Sequence, residues 1–274
     1  MATCLAYIPR VNKLKRNRRR LSLRRRIRTG FAALGLGLAA GAGAQAVKPL
    51  PVLSRVDTSS AIDERWRETF DAFAAADKAH APPPGGVLFV GSSSIRLWSD
   101  LETQFQTAPV IVKRGFGGSR LSDCTQNVAR LVLPYKPRLV IVYAGDNDLA
   151  EGATPQDVLG SFTRFVEQVR AELPQTRIAY LSIKPSPLRQ ALMVKVAETN
   201  RLIAGYAEGA PNLDYIDIYS RMLDADGQPR PELFLPDRLH LNPTGYALWQ
   251  GVIAPHLVLP PALATATATA AVVR

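Results

Sequence analysis

Val87-Leu-Phe-Val-Gly-Ser-Ser-Ser-Ile-Arg-Leu-Trp98 is the stretch whose reading decides the architecture. Its first four residues are apolar and read as a strand buried on both faces, and Gly91 ends that strand where the backbone must turn. Three serines, Ser92 to Ser94, fill the turn. In an open parallel sheet the ligand crevice lies just past the carboxyl ends of the strands, so a hydroxyl here stands where chemistry is commonly done. Taken alone, the stretch reads first as a polar turn whose serines cap the next helix.

Upstream, Ile62, Trp66, Phe70 and Phe73 recur at spacings of four, four and three, which predicts a helix over 61–80 with Ser59 or Ser60 as N-cap. An aromatic stripe of this kind packs a core. The run from Ala81 to Gly86, with three prolines, stops the helix and leads into the strand. Downstream, strands are expected over 109–112, 137–143, 177–183 and 213–218. Between them, helices are expected over 119–133, 154–173 (opened by Thr154-Pro155), 191–209 and 242–257. Strands alternating with helices imply an α/β fold: a single doubly wound, parallel, five-stranded sheet with helices on both faces. No repeat and no second domain is evident.

Charge is unevenly placed. The formal net charge is +11, yet residues 1–46 hold eleven Lys or Arg and no acid, leaving 23 bases against 23 acids. The excess belongs to that segment, which removes the main argument for a nucleic-acid partner. A basic stretch over 10–28, a short apolar run over 31–40 and a small-residue site at Ala44-Gln-Ala46 read as an export signal, hence a periplasmic or secreted protein. The run is too short and too rich in Gly and Ala for a stable membrane span, so an uncleaved anchor is the less favoured alternative. Arginine clusters at 18–20 and 24–26 leave Sec and twin-arginine routes both open. Residues 47–58 read as a linker, 59–259 as the domain and 260–274 as a low-complexity tail. After cleavage Cys124 stands alone and cannot form an intramolecular disulfide. No cofactor or metal site is indicated, and the oligomeric state stays open.

A serine hydroxyl is a weak nucleophile unless a base takes its proton, usually a histidine oriented by a carboxylate. Three histidines are available. His256 falls in the last helix without a nearby acid and reads as structural. Asp77 precedes His80 by three, but at the end of the aromatic helix a histidine favours the dipole and needs no chemistry. Asp237 precedes His240 by three in a polar loop before the last helix, where it can reach Nδ1 and leave Nε2 for a serine. Read by itself, that pair is also compatible with a carboxylate at a helix start beside a half-buried histidine. Acyl transfer further needs donors aimed at the developing oxyanion. Gly117-Gly118 after the second strand and Asn147 after the third can supply them, though each alone reads as a turn.

These four sites in this order resemble the blocks of the SGNH/GDSL hydrolases, carried here by Val90-Gly-Ser-Ser-Ser-Ile95, Arg114-Gly-Phe-Gly-Gly-Ser119, Ala144-Gly-Asp-Asn-Asp148 and Pro236-Asp-Arg-Leu-His240. The resemblance spans residues 86–249. It implies a flavodoxin-like three-layer sandwich with Ser93 as nucleophile and Asp237 and His240 as acid and base. The N–H groups of Gly118 and Ser93 and the amide of Asn147 are the implied oxyanion donors. One departure is Ser92, where the family's Gly-Asp-Ser opening has Asp. The Gly-x-Ser-x-Gly elbow of α/β-hydrolases is missing, since Ile95 stands at its second Gly.

The resulting expectation is an exported serine esterase acting on carboxylic esters of short acyl groups, such as acetyl on a carbohydrate or lipid. A non-catalytic ligand- or carbohydrate-binding protein of the same fold is the alternative. A flavodoxin-like cofactor binder would leave Asp237 and His240 without a purpose. Trp98, Phe116, Tyr143 and Phe234 read as core before pocket lining. Lys184 reads as a solvated lysine before a contact to a polar acceptor.

Overall fold

Short runs dominated by β-branched, leucine and aromatic residues form the sheet of the computed structural model, which describes residues 64–105, 108 and 110–258. The expected export signal, linker and tail, together with Ile62 and the N-cap serines, lie outside the described residues. The strands are β1 Val87–Gly91, β2 Ile111–Gly115, β3 Leu139–Tyr143, β4 Arg177–Leu181 and β5 Leu213–Ile216. They pair in parallel in the order β2-β1-β3-β4-β5, with Val87 opposite both Ile111 and Leu139. This is the flavodoxin-like order, whose switch point lies between β1 and β3. Ser92 therefore leaves the sheet where the crevice opens.

Side chains alternate across the sheet because the strand period is two. Leu88, Val90, Val140 and Val142 face one core with Phe70 and Phe162, while Val87, Phe89, Ile141 and Tyr143 face the other with Trp98 and Trp249. The helices are α1 Arg67–Ala79, α2 Ser93–Arg96, α3 Leu101–Gln104, α4 Leu121–Gln126, α5 Val128–Leu131, α6 Asp146–Ala150, α7 Pro155–Glu172, α8 Met193–Glu208 and α9 Pro243–Ile253. Thr154 caps α7 through a reciprocal bond with Asp157, and the Asn242 side chain accepts the Gly245 N–H at 3.0 Å to cap α9. Losing such a cap costs about 1 kcal/mol.

Several boundaries differ from the sequence reading. Within the described residues the first helix begins as a 3-10 turn at Glu64–Trp66 and is α from Arg67. Strand β2 runs on through Lys113 and Arg114, residues that look like turn. Both charges are satisfied there: Lys113 donates to the Trp98 carbonyl, and Arg114 meets Asp77 and the Tyr135 hydroxyl. The helix expected over 119–133 breaks at Asn127, whose amide donates to the Asp123 carbonyl at 2.9 Å in competition with the helical ladder. Strands β4 and β5 stop short because the Ser182 hydroxyl accepts the Ile218 and Tyr219 N–H groups and the Asn200 side chain takes both backbone groups of Ile183.

Candidate active site

Gly91 has a steric job at the end of β1. A Cβ there would lie 2.0 Å from the Tyr143 carbonyl, so only glycine lets the chain cross β3 and deliver the serine turn. Ser92 and Ser94 are each 1% exposed, and Ser93 alone of the three reaches the cleft. The Ser92 hydroxyl is buried with no hydrogen-bond partner among the described residues. From the far end of the domain, Tyr246 on α9 donates its hydroxyl to the Ser94 carbonyl at 2.9 Å.

His240 comes to Ser93 on a loop built by its own hydrogen bonds. Asp237 Oδ1 accepts the N–H groups of Leu239 and His240 at 2.9 Å each, and Arg238 takes a left-handed φ of 59° to close the turn. The second carboxylate oxygen lies 2.6 Å from His240 Nδ1, and Nε2 lies 2.9 Å from Ser93 Oγ. A carboxylate at Nδ1 selects the tautomer whose Nε2 accepts the hydroxyl proton. Burial works to raise the Asp237 carboxyl, but the two backbone N–H groups and the imidazole outweigh it and bring it down to about 2.

The expected donors stand on the other wall. Gly118 has φ +73° and open space around it, so its glycine serves the backbone conformation and close approach. Asn147 lies in the first turn of α6. Its Nδ2 donates to the Ser119 carbonyl at 3.0 Å, and its Oδ1 accepts from Arg189 at 2.8 Å. With the oxygen and one amide hydrogen engaged, the carboxamide cannot flip, and its other hydrogen remains for a ligand. Asp148 accepts the Leu121 N–H at 2.9 Å and so ties α6 to the turn after β2. Ser93, Gly118, Asn147 and His240 line one cleft of about 460 Å³. A groove of about 670 Å³ along α9 includes His256 but no part of this constellation.

The remaining assignments sort by burial. Trp98, Phe116 and Tyr143 are fully buried and Phe234 is 7% exposed, so all four are core. Asp77 is engaged by Arg114 and Tyr135 rather than by His80. His256 is pushed below the usual histidine range by burial. Cys124 is a free, buried thiol.

Lys184 overturns its reading as a solvated residue. It is 2% exposed, with its ammonium 3.0 Å from both Asp146 and the Tyr143 hydroxyl. Arg189 also lies 3.0 Å from Asp146, and the two cations hold that carboxyl below its usual range against the upward push of burial. Sequence reasoning missed Asp146 and Arg189 as supports of Asn147. The acid inside Gly-Asp-Asn-Asp was a usable signal for the first; nothing local marks the second. Among the described residues no group of His, Cys, Asp and Glu is placed to hold a metal ion.

The model of the GDSL-like lipase/acylhydrolase family matches residues 84–248. Solved structures with the same fold include a proposed platelet activating factor from Streptococcus pneumonia, 21% identical with TM-score 0.62 over 70% of this chain and 92% of that one. A proposed acylhydrolase from Bacteroides fragilis is 22% identical, with TM-score 0.61 over 71% and 97%. A family 3 carbohydrate esterase from Clostridium thermocellum is 15% identical, with TM-score 0.50 over 62% and 96%. At these identities the likeness is one of fold. No curated protein matches the chain in sequence.

Proposed function

The chain belongs to the GDSL-like lipase/acylhydrolase family, and from that premise we propose that it is an exported serine esterase cleaving carboxylic esters of short acyl groups. One observation carries the reading: the unbroken relay Ser93 Oγ, His240, Asp237, with contacts of 2.9 and 2.6 Å. Ser93 attacks the ester carbonyl while His240 takes its proton. Asp237, already ionised, stabilises the imidazolium that forms. The carbonyl oxygen becomes negative as the tetrahedral intermediate forms, and the N–H groups of Gly118 and Ser93 with the Asn147 amide receive it. His240 returns the proton to the departing alkoxide. Water, activated by the same imidazole, then frees the acid from Ser93.

Support for short acyl groups comes from the cleft wall, where Gly117, Gly118 and Asn147 stand beside Ser93 and Leu239 is the lone aliphatic side chain. Export rests on the basic and apolar pattern of residues 1–46, and no described helix is long and apolar enough to cross a membrane.

Esters of increasing chain length, with acetylated xylan included, test the reading on wild type and Ser93→Ala. Acetyl esters should turn over fastest, and Ser93→Ala should be inert. Preference for long chains overturns the acyl assignment. Failure of a fluorophosphonate to label Ser93 would leave a ligand-binding protein of the same fold.

A further inference from the structure

Arg96 sits three residues after Ser93 on α2, which places both on one face of that turn and both in the cleft. Its guanidinium lies against the turn after β2. A Cβ on Gly117 would come within 2.9 Å of Arg96 Nε and 3.3 Å of its terminal nitrogen, so glycine at 117 leaves the notch the guanidinium occupies. The next residue is Gly118. Thus a cation is seated beside the donor wall.

Among the described residues no hydrogen-bond acceptor or carboxylate partners Arg96. The cleft is lined by Arg65 and Arg96 and by no Asp or Glu. Arg65 is occupied: it stacks 3.8 Å from the Trp66 ring centroid and lies 3.6 Å from Asp123. On its outer side Arg96 also lines a smaller depression with Lys113 and Glu68, one acid against two bases. Positive charge is therefore in excess on both sides of Arg96, and within the Ser93 cleft no acid offsets it.

We propose that the preferred substrate is an ester carrying an anionic group, carboxylate or phosphate, close to the scissile bond, and that Arg96 binds that anion. This rests on the esterase reading. A planar guanidinium offers paired N–H donors that match either oxyanion, and a charge-assisted pair of this kind is stronger than a neutral hydrogen bond. The anion is present before and after acyl transfer, so the contact is uniform binding and appears in KM.

Two matched pairs test it: acetylated glucuronate against acetylated glucose, and acetylated glycerol phosphate against monoacetylglycerol. At low salt kcat/KM should favour the anionic member by about tenfold, through KM, and the advantage should shrink at about 0.5 M NaCl, where the screening length falls to a few ångströms. In Arg96→Gln the ratio should fall toward one, and Arg96→Lys, which keeps the charge but loses the fork, should restore part of it. Preference within one pair alone assigns carboxylate or phosphate. A ratio near one in both pairs, or a ratio that Arg96→Gln leaves unmoved, overturns the inference. If Ser93→Ala keeps the hydrolysis, the esterase reading falls and takes this one with it; a wild type that cleaves p-nitrophenyl acetate but neither pair overturns this inference alone. Ser93-dependent turnover with no anion preference removes this inference alone.

Discussion

Asp148 beneath the end of β3 and Asp237 on the loop before α9 both accept backbone N–H groups, yet their surroundings push them in opposite directions. Asp148 is 4% exposed, and burial raises it to about 6 despite the N–H bond from Leu121. The Asp237 side chain is 46% exposed, and there the N–H groups of His240 and Leu239 overcome burial and lower it to about 2. Two modes of construction stand behind these numbers. The sheet side fixes its donors by burying charge, with Asp146, Lys184 and Arg189 packed behind Asn147. The loop side holds its imidazole by short-range bonds in reach of water. Changes on the sheet side should register in folding as well as turnover; changes on the loop side should register in turnover first.

The largest effect tests whether both sides serve one hydroxyl. Ser93→Ala should lower kcat by about 10⁴-fold or more while leaving the thermal midpoint near wild type, as activity assay and calorimetry will show. A mutant with substantial turnover would mean the two sides have no common purpose. Next, Asn147→Ala should cost on the order of 10²–10³ in kcat toward p-nitrophenyl acetate. Full activity would remove Asn147 from the donor set.

Arg189→Met sharpens the comparison. It frees the Asn147 carboxamide to rotate, so kcat should drop about tenfold with KM little changed, the loss of one hydrogen bond to a charged group. In an Asn147→Ala background the same substitution should cost nothing further in kcat. An equal loss in both backgrounds would make Arg189 a general support rather than a positioning residue.

Smaller still are the two pH effects on stability, which must have opposite signs. Asp148 is raised in the folded state, so its contribution is fully present below about 3.9 and is lost as pH rises through about 6, on the order of 2–3 kcal/mol. Asp148→Asn should flatten the urea-denaturation profile over that window. Asp237 is lowered, so its contribution is present above about 3.9 and is lost as pH falls toward 2. Its exposure makes that the smallest effect, a slight difference in urea midpoint between wild type and Asp237→Asn that should vanish near the acid end. Slopes of the same sign would erase the contrast.

The same division explains what the chain disclosed before folding. Strands β1 and β3 were legible because both faces are covered and the residues run apolar without interruption. The serine turn, Gly117-Gly118 and Asn147 were legible as candidates because strand ends face the crevice, and the Asp237–His240 spacing because a single turn spans it; Gly118 was singled out by the family resemblance. Strand β2 was misplaced because Lys113 and Arg114 look solvated unless their partners are known, and Asp77 lies 37 residues from Arg114. Lys184 was misread for the same reason, its carboxylate being 38 residues away. Local pattern reports periodicity and turns; it is blind to a buried charge whose partner comes from a distant element.

Tyr246 carries a last consequence. Its hydroxyl props the Ser94 carbonyl from α9, while Trp66, at the other end of the domain, donates to the Gly117 carbonyl at 2.9 Å. The cleft is thus braced by residues 180 positions apart in the chain. A polypeptide still emerging from the ribosome has Ser93 long before it has the brace. On the proposed reading, hydrolytic power should switch on late, once both ends of the domain have met, which would keep the chain silent while it is being made.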